Sequence, residues 1–272
     1  MNAPDTERWK RKQIEFDNFS LSYIEGGNPE GEVILFLHGW SVSTAPYRDC
    51  LDALAEEYWI VAPDLPGFGR SPYAGSLSSY HSYANCILFL VEQLNLKQFH
   101  VVGHSFGGAV ALALAAAVPQ AVKSVVAIDS TGIPLISPKE IVKQRFAKFF
   151  RQIPQVRWQT FWKIVRAFSY NLVFHRQHLV EGARIALQED IRPWLSEVKL
   201  PCLILWGERD YFTPLEIGYG LAEAIANSQL QLILEGYHEW CMMQPEKLLP
   251  IVRNFFDSVP SHSKINYESS KS

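Results

Sequence analysis

Residues 101–110 read VVGHSFGGAV and place Ser105 between glycines that lie two positions away on each side. The apolar run at 99–102 is typical of a buried strand, and the alanine- and leucine-rich run at 109–118 is typical of a helix. Ser105 therefore lies at a sharp strand-to-helix corner, where glycine neighbours leave room for the turn and the hydroxyl points outward. A helix N-cap would explain the hydroxyl but not the two glycines, so we interpret Ser105 as a nucleophile.

The composition bounds the class of protein. With 272 residues, 48% of them hydrophobic, the chain can bury a core as one domain with an insertion. A net charge of −3 gives no sign of nucleic-acid binding. The four cysteines are scattered without a Cys-x-x-Cys pair, which favours buried, reduced thiols. The charged N-terminal segment lacks the apolar region of a secretory signal, and no apolar run reaches transmembrane length. These features predict a cytoplasmic protein and leave its oligomeric state open.

Strands and helices alternate along most of the chain. Apolar and β-branched runs predict strands at 13–16, 19–24, 33–37, 58–62, 99–102, 122–128, 202–206 and 229–234, and the segments between them predict helices. This alternation predicts an α/β fold with a mostly parallel sheet. Between 133 and 195 it stops, and apolar residues recur at helical spacing over 142–153 and 158–168. We predict a helical cap at 133–195, a core made of 1–132 and 196–258, and a disordered tail at 259–272.

Two strand ends downstream carry residues that would activate a serine. In open α/β sheets ligands bind beyond the carboxyl ends of the strands. Asp210 follows one such strand and His238 follows the next. A serine hydroxyl needs a neutral imidazole to take its proton, and the imidazole needs a carboxylate to fix its tautomer. Asp210 as a helix cap and His238 as an ordinary loop histidine are each credible alone, but their joint position after strands favours a catalytic triad.

Five motifs together resemble the α/β-hydrolase-fold superfamily, in its capped serine-hydrolase branch of esterases and lipases. They are LFLHGW (35–40), VAPDLPGFGRS (61–71), GHSFGG (103–108), WGERDYFTP (206–214) and EGYHEW (235–240). The resemblance extends over most of the chain, and the order serine, aspartate, histidine is that of the family. It implies that Ser105 is the nucleophile, His238 the general base and Asp210 the acid. It also implies an oxyanion hole made by the backbone N–H groups of Trp40 and Phe106.

Two positions depart from the family pattern or offer an alternative. The residue before the base histidine is commonly glycine or serine in the family, and here it is Tyr237. Some members carry the acid after the preceding strand, where Asp129 lies. We favour Asp210 because its Trp-Gly-x-x-Asp context matches in full.

The serine restricts the reaction. The related haloalkane dehalogenases and epoxide hydrolases use aspartate at the corner, so the remaining reactions are hydrolysis of an ester, a thioester or the C–C bond of a diketone-like substrate. We predict a carboxylesterase- or lipase-like enzyme that needs no cofactor or metal and acts on a small apolar ester. A protein of another class, which binds a small molecule with slow or absent turnover, also occurs on this fold. The complete triad and oxyanion motif argue against that alternative.

The predicted cap combines aromatic and basic residues. We expect an apolar substrate cleft lined by Trp40, Phe106, Trp158, Phe161, Trp162 and Phe168. Residues 139–184 contain ten Lys or Arg and two Glu, which gives this segment a net charge of +8 and leaves −11 for the rest. Helices with aromatic and basic faces suit transient contact with an anionic membrane surface. Amphipathic cap helices also form without a membrane, so both interpretations stay open.

Overall fold

The structure is a computed structural model that describes residues 8–16, 19–134 and 157–260. The strands in this part of the chain are β1 (Trp9–Glu15), β2 (Ser20–Gly27), β3 (Val33–Leu37), β4 (Trp59–Pro63), β5 (Phe99–His104), β6 (Val122–Ile128), β7 (Cys202–Gly207) and β8 (Ser228–Ile233). They form one sheet in the order β1-β2-β4-β3-β5-β6-β7-β8. Strand β2 pairs antiparallel with β1 and β4, and the other neighbouring pairs of this sheet are parallel. The predicted α/β fold with a mostly parallel sheet is confirmed.

Helices follow most of the strands. Those in the described residues are α1 (Arg48–Leu54), α2 (Tyr80–Gln93), α3 (Phe106–Ala117), α4 (Trp158–Phe174), α5 (Arg176–Gln188), α6 (Arg192–Leu195), α7 (Leu215–Ala224), α8 (Trp240–Met243) and α9 (Pro245–Ser258). Helices α4, α5 and α6 come between β6 and β7, where the alternation in the sequence stops. The apolar positions predicted as helical at 142–153 lie outside the described residues, as does the tail from 261.

Strand β3 shows how the sheet is packed on both faces. Leu35 and Leu37 belong to one hydrophobic cluster, together with side chains of α2 and α3. Ile34 and Phe36 belong to the other cluster, together with side chains of α1 and α9. All four side chains are fully buried, which is why a parallel strand of this kind has a continuous apolar run. Because β3, β5, β6, β7 and β8 run parallel, their carboxyl ends lie along one edge of the sheet.

The bounds of β1 and β2, the strands at the antiparallel end of the sheet, differ from the prediction. Strand β1 begins at Trp9 rather than at 13, and β2 continues through Gly27, three residues beyond the predicted end at 24. The first residues of β1 are mostly basic and exposed, so the sequence does not show that the strand begins there. Its first residue, Trp9, is buried, and the Nε1–H of Trp9 donates to Asp52 at 2.6 Å. The glycines of β2 serve close pairing, since a Cβ on Gly26 would lie 2.1 Å from the carbonyl oxygen of Arg8.

His100 on β5 is a buried, neutral histidine. Its ring stacks on Phe256 with 3.7 Å between ring centroids and bonds to the Ser124 hydroxyl at 2.7 Å. Burial lowers the pKa of His100 to about 4, although Glu32 beside it acts in the opposite direction. Between this value and the ordinary histidine pKa of 6.5, the unfolded chain binds a proton that the folded protein excludes. Stability therefore falls as the pH drops through this range.

We expect His100→Gln to make the free energy of unfolding less dependent on pH. The native histidine contributes a slope of up to about 1.4 kcal/mol per pH unit between these two pKa values, and glutamine binds no proton. Urea unfolding of both proteins at several pH values in this range measures the slope. His81→Gln, at a partly exposed position on α2, is measured beside it to control for the exchange of one histidine for glutamine. Equal slopes for wild type and His100→Gln would contradict the assignment.

Candidate active site

Ser105 occupies a one-residue turn between β5 and α3. Its φ of 54° lies in the left-handed region, a strained conformation for a residue with a side chain. The flanking glycines allow this turn, because a Cβ on Gly103 would lie 2.2 Å from the carbonyl oxygen of Gly107. A Cβ on Gly107 would lie 2.3 Å from the carbonyl oxygen of Leu37. Helix α3 consequently begins at residue 106, directly after the serine and three residues before the predicted alanine-rich run.

The structure brings Ser105, Asp210 and His238 together at the carboxyl edge of the sheet. His238 Nε2 lies 3.1 Å from Ser105 Oγ, and His238 Nδ1 lies 2.8 Å from Asp210 Oδ2. An ionised carboxylate only accepts hydrogen bonds, so His238 donates from Nδ1 and its Nε2 is left to accept the proton of Ser105. Each of the three side chains is buried, and Phe212 stacks on the His238 ring.

Asp210 is held as a carboxylate by its neighbours. Burial by itself would raise the pKa of Asp210, but the charge of His238 and hydrogen bonds from His238 and Thr213 lower it below the ordinary value. Oδ1 accepts the backbone N–H groups of Phe212 at 2.6 Å and Thr213 at 2.9 Å. Oδ2 accepts from His238 and from the Thr213 hydroxyl. The carboxylate therefore has a fixed orientation and is ionised at neutral pH.

Asp129, the alternative acid, lies at the end of β6 in a different state. Its Oδ1 accepts the backbone N–H of Gly207 at 2.7 Å. Burial and the nearby charge of Asp210 raise the pKa of Asp129 well above the ordinary value, which favours the protonated form. The carboxyl group bonded to His238 Nδ1 is that of Asp210. The geometry thus favours Asp210 over Asp129 as the group that orients the histidine.

His104, Asp129 and His238 could each offer an atom to a metal, and these atoms lie within 4.8 Å of one another. Both ring nitrogens of His104 are already bonded to protein groups, to the Tyr47 hydroxyl and the His238 carbonyl. The nitrogens of His238 are bonded to Ser105 and Asp210. The cluster is therefore arranged for hydrogen bonding within the protein.

The loop after β3 carries the predicted oxyanion donor Trp40 and lies beside Ser105. A Cβ on Gly39 would lie 3.4 Å from Ser105 Cβ, so the loop packs directly on the elbow. His38 Nε2 accepts the backbone N–H of Leu65 at 2.8 Å, hence its Nδ1 carries the proton and donates to the Gly39 carbonyl at 2.7 Å. That carbonyl and the Trp40 N–H belong to one planar peptide unit. His38 therefore fixes the direction of the predicted donor.

The second predicted donor, Phe106, contributes its backbone. Its N–H is at the first position of α3, where no intrahelical acceptor exists. The Phe106 ring is fully buried against Tyr80 and Tyr83, with centroid distances of 4.9 Å to each. A ring without exposed surface offers no contact to a substrate, so the expectation that its side chain lines the cleft is corrected. Trp40 is partly buried, and its indole N–H donates to the Leu179 carbonyl of α5 at 3.0 Å.

The predicted aromatic stripe of α4 does not face the core. Trp158 is 67% exposed and Trp162 is 60% exposed, Phe168 is also exposed, and Phe161 is half-buried between the two tryptophans. The buried side of α4 contains Asn171, whose amide donates to the carbonyls of residues 41 and 42 and accepts the N–H of Gly69. Ile164 and Ala167, on the same side of the helix, pack against the core. The inward face of α4 therefore combines a buried, hydrogen-bonded amide with small and aliphatic side chains, and the aromatic stripe lies elsewhere on the helix.

Sequence reasoning missed two residues of the site. Thr213 supports Asp210, and the spacing Asp-x-x-Thr in WGERDYFTP is the signal that could have found it, because such a pair closes a turn through side-chain hydrogen bonds. Asn171 ties α4 to the loop after Trp40. A lone amide in the aromatic and apolar run 168–174 was its only signal.

Comparisons with known proteins agree with the fold. A family model described as alpha/beta hydrolase fold matches residues 32–183, just over half of the chain. The chain belongs to this family and is a hydrolase of the α/β class, as its motifs predict.

Three similar proteins illustrate the range of activities. The monoacylglycerol lipase ABHD6 of Bos taurus is 25% identical over 93% of this chain and 86% of its own length. The 2-hydroxy-6-oxo-6-phenylhexa-2,4-dienoate hydrolase of Comamonas testosteroni is 23% identical over 84% of this chain and 88% of its own. A crystal structure of a membrane phospholipase A superposes with a TM-score of 0.78 at 22% identity, covering 92% of this chain and 86% of that one.

Within residues 8–16, 19–134 and 157–260, the helices are too short or too polar to cross a bilayer.

Proposed function

We propose that the protein is a serine hydrolase that cleaves a carboxylic ester of an apolar acid through an acyl-enzyme on Ser105. The observation that carries this proposal is the hydrogen-bonded line from Asp210 through His238 to Ser105 Oγ, with distances of 2.8 and 3.1 Å. Ser105, the last member of this hydrogen-bonded series, has a positive φ, as expected for a nucleophilic serine at a sharp strand-to-helix turn.

In the acylation step, His238 Nε2 takes the proton of Ser105 as Oγ attacks the ester carbonyl. Asp210 stabilises the imidazolium that forms. The negative oxygen of the tetrahedral intermediate lies between the backbone N–H groups of Trp40 and Phe106, where two donors stabilise it more than the neutral ester. The C–O bond then breaks, His238 gives its proton to the leaving alkoxide, and the alcohol departs.

In the deacylation step, water takes the place of the alcohol. His238 removes a proton from water as its oxygen attacks the acyl-enzyme carbonyl, and the second tetrahedral intermediate forms in the same oxyanion hole. When the bond to Ser105 breaks, the proton returns to Oγ and the carboxylic acid leaves.

We expect kcat/KM to rise with acyl chain length and then to fall when the chain exceeds the cleft. Each buried methylene is worth about 0.8 kcal/mol, which corresponds to about a fourfold gain per carbon. A series of p-nitrophenyl esters from acetyl to decanoyl measures this dependence. A flat series would contradict an acyl pocket and favour a compact, polar or aromatic substrate.

Thioester and C–C bond hydrolysis are the alternatives on the same residues. The similarity to the dienoate hydrolase of Comamonas testosteroni supports the second of them. Acyl-CoA thioesters of matched chain length and a vinylogous diketone discriminate among the three reactions. A binding protein without turnover is the alternative of another class, and it would hydrolyse none of these compounds.

The outer surface of α4 and α5 supports a lipid-borne substrate. Nine of the fourteen large hydrophobic side chains exposed in the described residues lie on these two helices. The basic residues of these helices, Lys163, Arg166, Arg176 and Arg184, outnumber their single glutamate, Glu181, and Lys163 also pairs with Asp49 of α1. Exposed aromatic side chains next to cations fit the interface of an anionic bilayer. We therefore propose that this surface contacts anionic lipid transiently.

We expect the protein to sediment with vesicles that contain anionic phosphatidylglycerol, and less so as salt rises, because screening limits charge interactions to about 8 Å at physiological ionic strength. Val173 and Phe174 are 71% and 66% exposed at the end of α4. The double variant V173S/F174S should weaken sedimentation without changing hydrolysis of a short soluble ester. Salt-independent sedimentation, or none with wild type, would contradict the lipid contact.

A further inference from the structure

Two buried side chains behind the triad take no part in the proposed reaction. Tyr47 lies in the 3₁₀ turn Ala45–Tyr47, in the loop region that follows β3, and His104 is the last residue of β5. The two side chains join groups of different loops. The Gly39 N–H donates to the Tyr47 hydroxyl at 3.0 Å, that hydroxyl lies 2.6 Å from His104 Nδ1, and His104 Nε2 lies 2.8 Å from the His238 carbonyl oxygen.

The direction of these hydrogen bonds is fixed by their chemistry. The His238 carbonyl can only accept, so His104 carries its proton on Nε2. Burial and the neighbouring His238 lower the pKa of His104 to about 3, and the ring is therefore neutral at physiological pH. A neutral ring protonated on Nε2 accepts on Nδ1, so the Tyr47 hydroxyl donates to it. Burial raises the pKa of Tyr47, and its hydroxyl keeps this proton.

We propose that Tyr47 and His104 are positioning residues. They hold the loop after β3, which carries the predicted oxyanion donor Trp40, and the loop after β8, which carries His238, at fixed positions relative to Ser105. This inference rests on the proposed function. The chain of hydrogen bonds begins at Gly39, one residue before the predicted donor Trp40, and ends on the backbone of His238 itself. His104 is also covalently joined to Ser105. Three hydrogen bonds thus align parts of the chain that follow β3, β5 and β8.

Such alignment affects the transition state more than substrate binding. The oxyanion donors act only when the carbonyl oxygen has moved to its tetrahedral position, and the base acts only when its Nε2 faces Ser105. Misplacement by about 1 Å can cost about 100-fold in rate. An apolar pair of similar volume would fill the same space, but it would leave the Gly39 N–H and the His238 carbonyl without these partners in a buried site. A polar pair at these two positions is therefore expected if its role is to position the oxyanion donors and His238.

Tyr47→Phe tests the proposal, with Tyr83→Phe as its matched control. Both tyrosines are fully buried, but the Tyr83 hydroxyl has no hydrogen-bond partner among the described residues. We expect Tyr47→Phe to lower kcat for a p-nitrophenyl ester by about 10- to 100-fold, with KM changed by less than about twofold. Labelling by a p-nitrophenyl phosphonate should slow by the same factor. Tyr83→Phe should leave these rates within about twofold of wild type.

His104 supplies a second pair of variants. Glutamine can accept from Tyr47 and donate to the His238 carbonyl, whereas leucine can do neither. His104→Gln should therefore retain at least about tenfold more activity than His104→Leu at an equal folded fraction. Equal activity of the two variants would overturn the proposal, and so would a Tyr47→Phe variant that loses stability but keeps kcat.

Failure of the proposed function gives a different result. In that case wild type neither hydrolyses the ester nor takes up the phosphonate. The hydrogen-bond chain is then tested by ¹⁵N NMR, which reports the Nε2-protonated form of His104 in wild type. Tyr47→Phe should shift the His104 ring signals and the backbone amide of Glu239, which shares a peptide unit with the His238 carbonyl. Unchanged signals would overturn the link between the loops.

Discussion

Ser105→Ala is expected to reduce ester hydrolysis by about 10⁶-fold in kcat, the loss seen when the nucleophile of a triad is removed. The reason is that Ser105 Oγ is the hydroxyl placed to give its proton to His238 Nε2, at a distance of 3.1 Å. The fold should persist, because alanine needs no more space than serine at this turn. Steady-state assays of purified protein with a p-nitrophenyl ester measure the effect, and circular dichroism checks the fold.

Ser130→Ala is the matched control for this experiment. Ser130 is also fully buried and also follows a strand of the sheet, but its hydroxyl bonds to the backbone of Thr131. Activity of this variant should stay within about tenfold of wild type. If Ser105→Ala itself retains activity within tenfold of wild type, Ser105 is not the nucleophile.

Asp210→Asn is expected to lower kcat by about 10⁴-fold. The backbone N–H groups of Phe212 and Thr213 hold the amide oxygen, so the amide NH₂ would face His238. His238 Nδ1 must then accept, its proton moves to Nε2, and the ring can no longer take the proton of Ser105. The measurement is kcat for the same ester, at a pH where wild type is fully active.

Asp129→Asn is the isosteric comparison. The raised pKa of Asp129 favours its protonated form, which a neutral amide resembles, and the amide oxygen can still accept from Gly207. The expected loss is below about tenfold. If Asp129→Asn proves far more damaging than Asp210→Asn, the acid belongs to the end of β6 and Asp210 acts as a cap for the turn that follows.

The sharp turn at Ser105 and the meeting of Ser105, Asp210 and His238 could be predicted because these residues leave local signals in the sequence. Glycines flank Ser105 because a Cβ at either position would collide with the backbone, and any chain with this turn must show them. Asp210 and His238 each follow an apolar strand, so the parallel sheet brings them to one edge. The bounds of β3 were also predictable, since this strand is buried on both faces and is apolar throughout. The bounds of β6 agree with the prediction as well, because its run Val125–Ile128 is apolar and buried and Val122 marks its start.

Features that depend on contacts distant in sequence could not be predicted. Asn171 lies on the inward face of α4, and its hydrogen-bond partners lie about 100 to 130 residues away in the sequence. Trp158 and Trp162 have the hydrophobicity of core residues, but they are exposed. The roles of Tyr47 and His104 depend on the meeting of three loops. The sequence reveals that His104 precedes Ser105, but it does not reveal the hydrogen bond from His104 to the His238 carbonyl.

The most direct test of the central claim is to locate the covalent adduct formed with a p-nitrophenyl phosphonate. Wild-type protein is incubated with the probe, digested and analysed by mass spectrometry, with acid-unfolded protein as the control for non-specific reaction. We expect one adduct, on Ser105, that forms only in the folded protein and is lost in Asp210→Asn. An unlabelled Ser105 in folded protein, or an adduct on another residue, would contradict the assignment of Ser105 as an activated nucleophile.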